Sequence, residues 1–393
     1  MTGKRIDVLI VGSGIAGFSA AEKLSESGVA VGLVDSERRL PYKRTKISKN
    51  IASGFDSEQF ALRPDTWYAD QKISLITGES IVSLDLAEHR ATTDKGGTLD
   101  YGRLLIAAGG KPRELAIPEG LRDRQLFVHS QTDVELLQNR TPAPERILVV
   151  GGGVLGTEVA EQLAVAGHSV TFACAGERLM HRHLNEFASQ VLLDLFRDSG
   201  VVVAMGERIE SVEAAEDGIE ATISGIAQNF SRVVTCVGID PIVDLAVSAG
   251  MEVNRGIVVD EQLRCSRDDV WAAGDVAEHP GGVITHLWHA AEHQGRVAAD
   301  NILGAKRTDT LPPFRLKCEV FGNYFFALNT VSDAAVSTEE RSGNRYRELW
   351  FESERLCGAI MIGDGERAKL YEKAVREGWS RDRVALDLSL AKH

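Results

Sequence analysis

The chain has 393 residues, enough for two or three domains that each bury a core of their own. With 44% hydrophobic and 26% charged residues it is globular in composition, and a formal net charge of -13 argues against a nucleic-acid or anionic-membrane ligand. The charge is uneven: residues 301–393 carry 15 Lys and Arg against 14 Asp and Glu, leaving 29 against 43 in residues 1–300.

The N-terminus, "MTGKRIDVLIVGSG", is charged and then apolar. Its apolar run falls short of the roughly seven residues of a secretory core, and no stretch approaches the ~18 apolar residues of a membrane span. Five cysteines, at 174, 236, 265, 318 and 357, form no CxxC or CxxxxC pair. Reduced thiols in a soluble, cytoplasmic protein are expected.

Residues 7–35 read as a buried strand, a glycine turn, an amphipathic helix stopped at Gly28 and a second strand. Residues 104–108 form a further strand, ending in a double-glycine turn. After the proline-rich linker 141–146, the opening pattern recurs without gaps over residues 146–174, an offset of 139, with Gly167 as the helix stop. Residues 231–245 and 269–279 each give a strand running into a glycine, and a helix spans 288–303. From residue 311 the pattern changes to short strands and a last helix, a small α+β module. The expected fold class is α/β: two Rossmann-like three-layer dinucleotide-binding domains and a C-terminal α+β domain. Their expected spans are 1–115 with 238–305, 116–237, and 306–393.

Gly12-x-Gly14-x-x-Gly17 lies between a strand and a helix, where glycines allow a tight turn, a phosphate at the backbone and close helix–strand packing. Asp35 ends the next strand, 23 residues after Gly12, where a carboxylate accepts from ribose hydroxyls. Gly151-x-Gly153-x-x-Gly156 repeats the fingerprint. Two such units imply two dinucleotides, FAD and NAD(P)H, unless the second copy is degenerate and binds nothing. Cys174 stands where Asp35 stands in the first copy, so the choice between NADH and NADPH stays open.

With these motifs the chain resembles the FAD-dependent pyridine nucleotide-disulfide oxidoreductase superfamily, and within it the ferredoxin and rubredoxin reductase branch. "LLIAAGGKPR" is similar to the family's ATG-type strand, "CVGIDP" to its second strand–glycine element, and "VWAAGDVAEH" to its GD motif. "PYKRTKISK" resembles the branch signature PYxRPPLSK, and "YRELWFESERLCGAIMIGD" resembles rubredoxin reductase-like C-terminal domains. The resemblance implies FAD contacts from Gly12, Gly14, Ile15, Ala16, Gly17, Asp35, Arg44, Lys49, Ile81, Ala108 and Gly109. Asp275 would meet the ribityl-phosphate, and Trp288 and His289 the isoalloxazine. For NAD(P)H it implies Gly151, Gly153, Val154, Leu155, Gly156, Glu158, Cys174 and Gly238.

In thiol-using branches the active cysteine sits where Lys49 stands here, so electrons are expected to leave the flavin directly. The resemblance places Lys49 near flavin N5, paired with Glu158, as the catalytic residues. Thr45-Lys46 replaces the branch's PP, His129 replaces an arginine on the FAD phosphates, and Ala108 replaces the threonine of ATG.

Other constellations are assigned no chemistry. His286, His289 and His293 lie in one helical row beside Glu292, a poor geometry for tetrahedral zinc. His181 and His183 are expected on a polar surface turn, and Cys236 and Cys357 in the core.

The function expected is NAD(P)H reduction of a small iron electron carrier, rubredoxin or ferredoxin, by a monomer or homodimer with no nucleic-acid or membrane partner. The near-neutral C-terminal module would receive an acidic carrier, through Arg345 or Arg347. Alternatives are an NAD(P)H oxidase or nitrite-reductase-type component, and an apoptosis-inducing-factor-like redox-switched binding protein.

Overall fold

The structure, a computed structural model, describes residues 6–140, 144–329 and 335–388. The first three residues of the expected linker 141–146 lie outside the described residues. The chain divides into two compact units. One comprises Met1–Ile47, Phe55–Pro112 and Ile239–Pro312, the other Ser48–Gly54, Arg113–Gly238 and Pro313–His393.

In the first unit the strands Ile73–Thr77, Val31–Asp35, Ile6–Val11, Thr98–Ile106 and Val270–Ala272 lie side by side and parallel. Leu9, Ile10, Leu33, Leu104 and Leu105 are fully buried. Such continuous apolar runs mark strands covered on both faces. The strand expected at 104 begins at Thr98, because its first half pairs with the antiparallel hairpin Ile81–Asp85 and Arg90–Thr93. Helix Ile15–Ser25 buries Ala20, Ala21 and Leu24. Helix Trp288–Ile302 crosses it so closely that a Cβ on Gly295 would stand 2.1 Å from the Ala16 carbonyl oxygen.

The second unit holds a parallel sheet ordered Val202–Met205, Ser169–Cys174, Arg146–Val150, Arg232–Thr235 and Gln125–Leu126. The antiparallel strands Ile209–Ala215, Gly218–Ile223 and Ile226–Phe230 adjoin it. The C-terminal part of this unit is an antiparallel sheet ordered Arg315–Val320, Asn323–Leu328, Arg355–Ile362, Arg345–Glu352 and Val336–Ser342. Helices Ala368–Glu377 and Arg381–Asp387 close one face over Phe326, Leu349 and Met361.

Three expectations change here. Arg347 is no docking cation: it is 0% exposed, and its guanidinium donates to the Tyr371 hydroxyl at 3.3 Å, to the Leu388 carbonyl and to Glu340 at 2.7 Å. Strand alternation turns it under the C-terminal helices, whereas Arg345 at the strand's start is half-buried. Cys357 is half-buried rather than core, because its neighbour Leu356 takes the helix-covered face. His181 is exposed, but His183 is half-buried and stacks on Phe314 at 4.5 Å.

Candidate functional site

Each unit carries a glycine cradle, and the two copies agree to a few tenths of an ångström. Gly12 has φ +100°, and a Cβ there would stand 2.3 Å from the Ala107 oxygen; at Gly151, φ +119°, it would stand 2.3 Å from the Cys236 oxygen. A Cβ on Gly17 or Gly156 would fall within 1.9 and 1.8 Å of the Gly12 and Gly151 oxygens. At Gly14 and Gly153, by contrast, nothing lies within 4 Å. These two residues precede helices Ile15–Ser25 and Val154–Val165, and neither helix has a side-chain cap. The N–H groups that open each helix, at Ile15 and Ala16 and at Val154 and Leu155, therefore suit an anion.

The residue ending the second strand ties down the cradle in each copy. Asp35 Oδ2 accepts from the backbone and the hydroxyl of Ser13, both at 2.7 Å, and Oδ1 accepts from the Glu37 N–H at 2.9 Å. Cys174 is 2% exposed, with its Sγ 2.1 Å from where a Gly152 Cβ would be. Burial pushes its thiol up, against the N–H groups of Gly176 and Gly152. The more exposed acid in the first copy is Glu37, which accepts from Tyr42 at 2.8 Å and pairs with Arg44. Sequence reading missed Glu37, although it stands only two residues past Asp35.

Ile81 is 8% exposed at the start of its strand. Ala108 and Gly109 follow the strand that flanks Gly12, and Gly109 turns the chain at φ +68°. Gly274 packs against Ala16, a Cβ there lying 3.0 Å from that of Ala16. That contact sets the adjoining Asp275 beside the first turn of the cradle helix. Asp275 Oδ1 is buried with no hydrogen-bond partner, and burial raises its carboxyl while His286 opposes. A buried acceptor left open beside an uncapped helix N-terminus fits FAD, whose ribityl hydroxyls donate and whose pyrophosphate is anionic. Trp288, half-buried, opens the helix that crosses there.

His129 shows a local role: its backbone N–H and that of Ser130 donate to Asp133, at 3.0 and 2.8 Å, at the start of helix Gln131–Arg140. Among the described residues no group of three or more His, Cys, Asp or Glu is placed to hold a metal. His286 precedes the helix, and His293 faces Asp309 at 3.2 Å.

In the second unit the short turn Ser48–Asn50 meets helix Val154–Val165. Glu158, 5% exposed, receives the Lys49 ammonium at 3.3 Å on Oε1 and the Ser48 hydroxyl on Oε2. Cys318 hydrogen-bonds to the same carboxylate. Burial pushes the Glu158 carboxyl up, and Lys49, Ser48 and Cys318 pull it back. The expected pair is thus in contact, with two partners the sequence did not offer. Ser48 is adjacent in the chain, but Cys318 comes from a strand 160 residues beyond Glu158. Gly238, also expected at the nucleotide, has φ +106° and accepts from the Arg113 N–H at 3.0 Å.

Residues 6–295 match the family described as pyridine nucleotide-disulphide oxidoreductase. The chain is 32% identical over 305 residues to the ferredoxin–NAD(+) reductase subunit of the benzene 1,2-dioxygenase system of Pseudomonas putida, covering 76% of this chain and 74% of that one. It is 26% identical to the NADH-rubredoxin oxidoreductase of Clostridium acetobutylicum, covering 97% of each. Among solved structures, a ferredoxin reductase from Rhodopseudomonas palustris matches with a TM-score of 0.88 and 25% identity over 98% of this chain and 100% of that one. Two cradles of one geometry in one chain and a match across most of its length lead to one conclusion: the chain belongs to the pyridine nucleotide-disulphide oxidoreductase family, in its ferredoxin and rubredoxin reductase branch.

Proposed function

We propose that the chain reduces a rubredoxin or a ferredoxin with electrons from NAD(P)H, and that its flavin passes them on without a thiol. The enzyme is an FAD-dependent NAD(P)H oxidoreductase with a small electron carrier as partner, as the names of its relatives support; they do not favour the oxidase and redox-switched-binder readings. The observation that carries the thiol-free route is Lys49 itself, a cation paired with buried Glu158 where the resemblance places the cysteine of the thiol-using branches.

FAD, when bound, supplies hydride acceptance and one-electron release. Gly12, Gly14 and Gly17 would hold its pyrophosphate at the uncapped helix, Asp35 and Ser13 would keep that loop in shape, and Asp275 would accept from its hydroxyls. Arg44, Ile81, Ala108, Gly109 and Trp288 are the further contacts proposed. Gly151, Gly153, Gly156, Cys174 and Gly238 would shape the nicotinamide dinucleotide site. Glu158 orients the Lys49 ammonium, which the resemblance places near flavin N5, where its charge would favour negative charge on the ring. The proposed domain spans are 1–115 with 238–305 for FAD, 116–237 for NAD(P)H and 306–393 for the C-terminal module. The near-neutral charge of that module suits an acidic carrier. No helix among the described residues is long and apolar enough to cross a membrane, and a cytoplasmic location is proposed.

The test is anaerobic stopped-flow reduction by NADH and by NADPH, followed by mixing with rubredoxin and with ferredoxin. Fast flavin bleaching and fast carrier reduction are expected. Fast bleaching with transfer only to oxygen would replace this reading with an oxidase.

A further inference from the structure

We propose that Asp309, His279 and Gln294 are positioning residues for the flavin: a buried relay that holds the Gly274–Asp275 turn, and lets go of it when His279 takes a second proton. The inference rests on the reading of the first cradle as the FAD site.

The polarity of the relay is forced from one end. The Gly274 N–H can only donate, and it donates to Gln294 Oε1 at 2.8 Å. The other end of that amide, Nε2, therefore points at His279 Nε2, 2.9 Å away. An amide nitrogen has no lone pair to offer, so His279 Nε2 must be the unprotonated acceptor. The ring proton then sits on Nδ1, which lies 3.5 Å from Asp309 Oδ2, a charge contact with an acceptor that has no hydrogen-bond partner of its own. Gln294 is 0% exposed and the Asp309 side chain 2%, and the Asp309 backbone N–H is fixed to the Glu261 carbonyl at 2.7 Å.

A second proton on His279 breaks this order. Its Nε2–H would meet the Gln294 amino group, donor against donor. Flipping the amide satisfies the ring but turns the amino group onto the Gly274 N–H, and the conflict moves to the turn. Gln294 is 0% exposed, so no solvent-facing orientation absorbs it, and protonation and an intact Gly274 anchor exclude each other.

The groups around His279 define what else could titrate. Asp309 faces it from the segment after helix Trp288–Ile302, and His293 of that helix faces Asp309 at 3.2 Å. Glu278, which precedes His279 in the chain, is committed to the backbone N–H groups of Arg255 and Gly256, both at 2.8 Å. Asp275, at the turn, feels the charge of His286. Burial lowers the proton affinity of His279 and Asp309 opposes it. The lowering wins, so the relay is intact above the ordinary value of 6.5 and is lost as pH falls through a value below it.

The experiment follows free flavin fluorescence after diluting the holoenzyme over roughly pH 7.5 to 5. Release should rise by about tenfold toward acid in the natural protein, the effect of one lost buried hydrogen bond. His279→Gln keeps an acceptor for Gln294 and removes the titration, so its release should stay flat with pH. A pH-independent release in the natural protein, or an unchanged step in the variant, would overturn the relay. Because His279→Gln could fail to fold, nitrogen NMR of histidine-labelled natural holoenzyme provides the second reading. A lone pair on His279 Nε2 at neutral pH supports the relay, and the opposite tautomer overturns it. A purified chain that holds no flavin at neutral pH would instead refute the reading of the first cradle.

Discussion

Removing Lys49 should make stability depend on pH in a way that removing Glu158 does not. The Glu158 side chain is 6% exposed and that of Lys49 is 33% exposed. Lys49→Met strands a buried carboxylate, whereas Glu158→Gln strands an ammonium that can turn to water. Breaking a fully buried pair costs about 3–5 kcal/mol, and the exposed lysine reduces this to about 1–2 kcal/mol. For a domain of this size the loss is about 2–8 °C in melting temperature. The sign follows from the direction of the shift. Burial raises the Glu158 carboxyl above its ordinary 4.5, so the folded state binds more protons than the unfolded one. Its contribution is full below that value and is lost as pH rises through the folded one. Without Lys49 the shift grows, so the deficit of Lys49→Met against the natural protein should widen from roughly pH 5 to 8. Thermal unfolding of the flavin-loaded proteins reads it, and adding Glu158→Gln to Lys49→Met should abolish the widening. Parallel curves for the natural protein and Lys49→Met would refute a buried ionised Glu158 held by that lysine.

The two cradles should be separable. Gly12→Ala places a Cβ 2.3 Å from the Ala107 oxygen at a positive φ and should purify largely without flavin. Gly151→Ala should keep its flavin, seen in the visible spectrum, while its bleaching by NAD(P)H slows by at least about tenfold. Asp275→Asn should separate stability from binding. It removes a buried charge whose Oδ1 has no hydrogen-bond partner and which only His286 offsets, so the flavin-free protein should melt higher by about 1 kcal/mol equivalent. Calorimetric titration should show weaker FAD binding to the same variant. A loss of apoprotein stability would mean that Asp275 has a structural partner.

The parts legible in the sequence were those with short-range signatures. Glycine spacing, apolar runs and the 139-residue repeat bring out both cradles, because each is built within about thirty consecutive residues. The Lys49–Glu158 contact was legible only through the resemblance. The rest depends on pairings across the chain. Cys318 reaches Glu158 from a strand 160 residues later, and Asp309 reaches His279 from 30 residues later. No periodicity marks such contacts. Arg347 misled for a related reason. Its sequence neighbourhood reads as a polar strand, and only the two helices that fold over one face decide which side chains are covered.

A thiol does lie at the Lys49–Glu158 pair, so the thiol-free reading has to rest on its environment as well as on the lysine. Only a thiolate attacks a disulfide or donates to a flavin. Cys318 is 0% exposed, and burial first, then the Glu158 charge, push its thiol well above the ordinary value of 9.0. It is therefore a protonated donor to Glu158, closed to reagents. Cys236 is pushed up to about 12 by burial, and Cys174 and Cys265 are buried too. All five cysteines are free, and Cys357 alone is half-buried. An aromatic disulfide reagent applied to the native holoenzyme should release at most one equivalent, from Cys357. The count should be the same before and after anaerobic reduction by NAD(P)H, because no disulfide opens when electrons enter. A thiol that appears only after reduction would place a redox cysteine on the route and return the chain to the thiol-using branches.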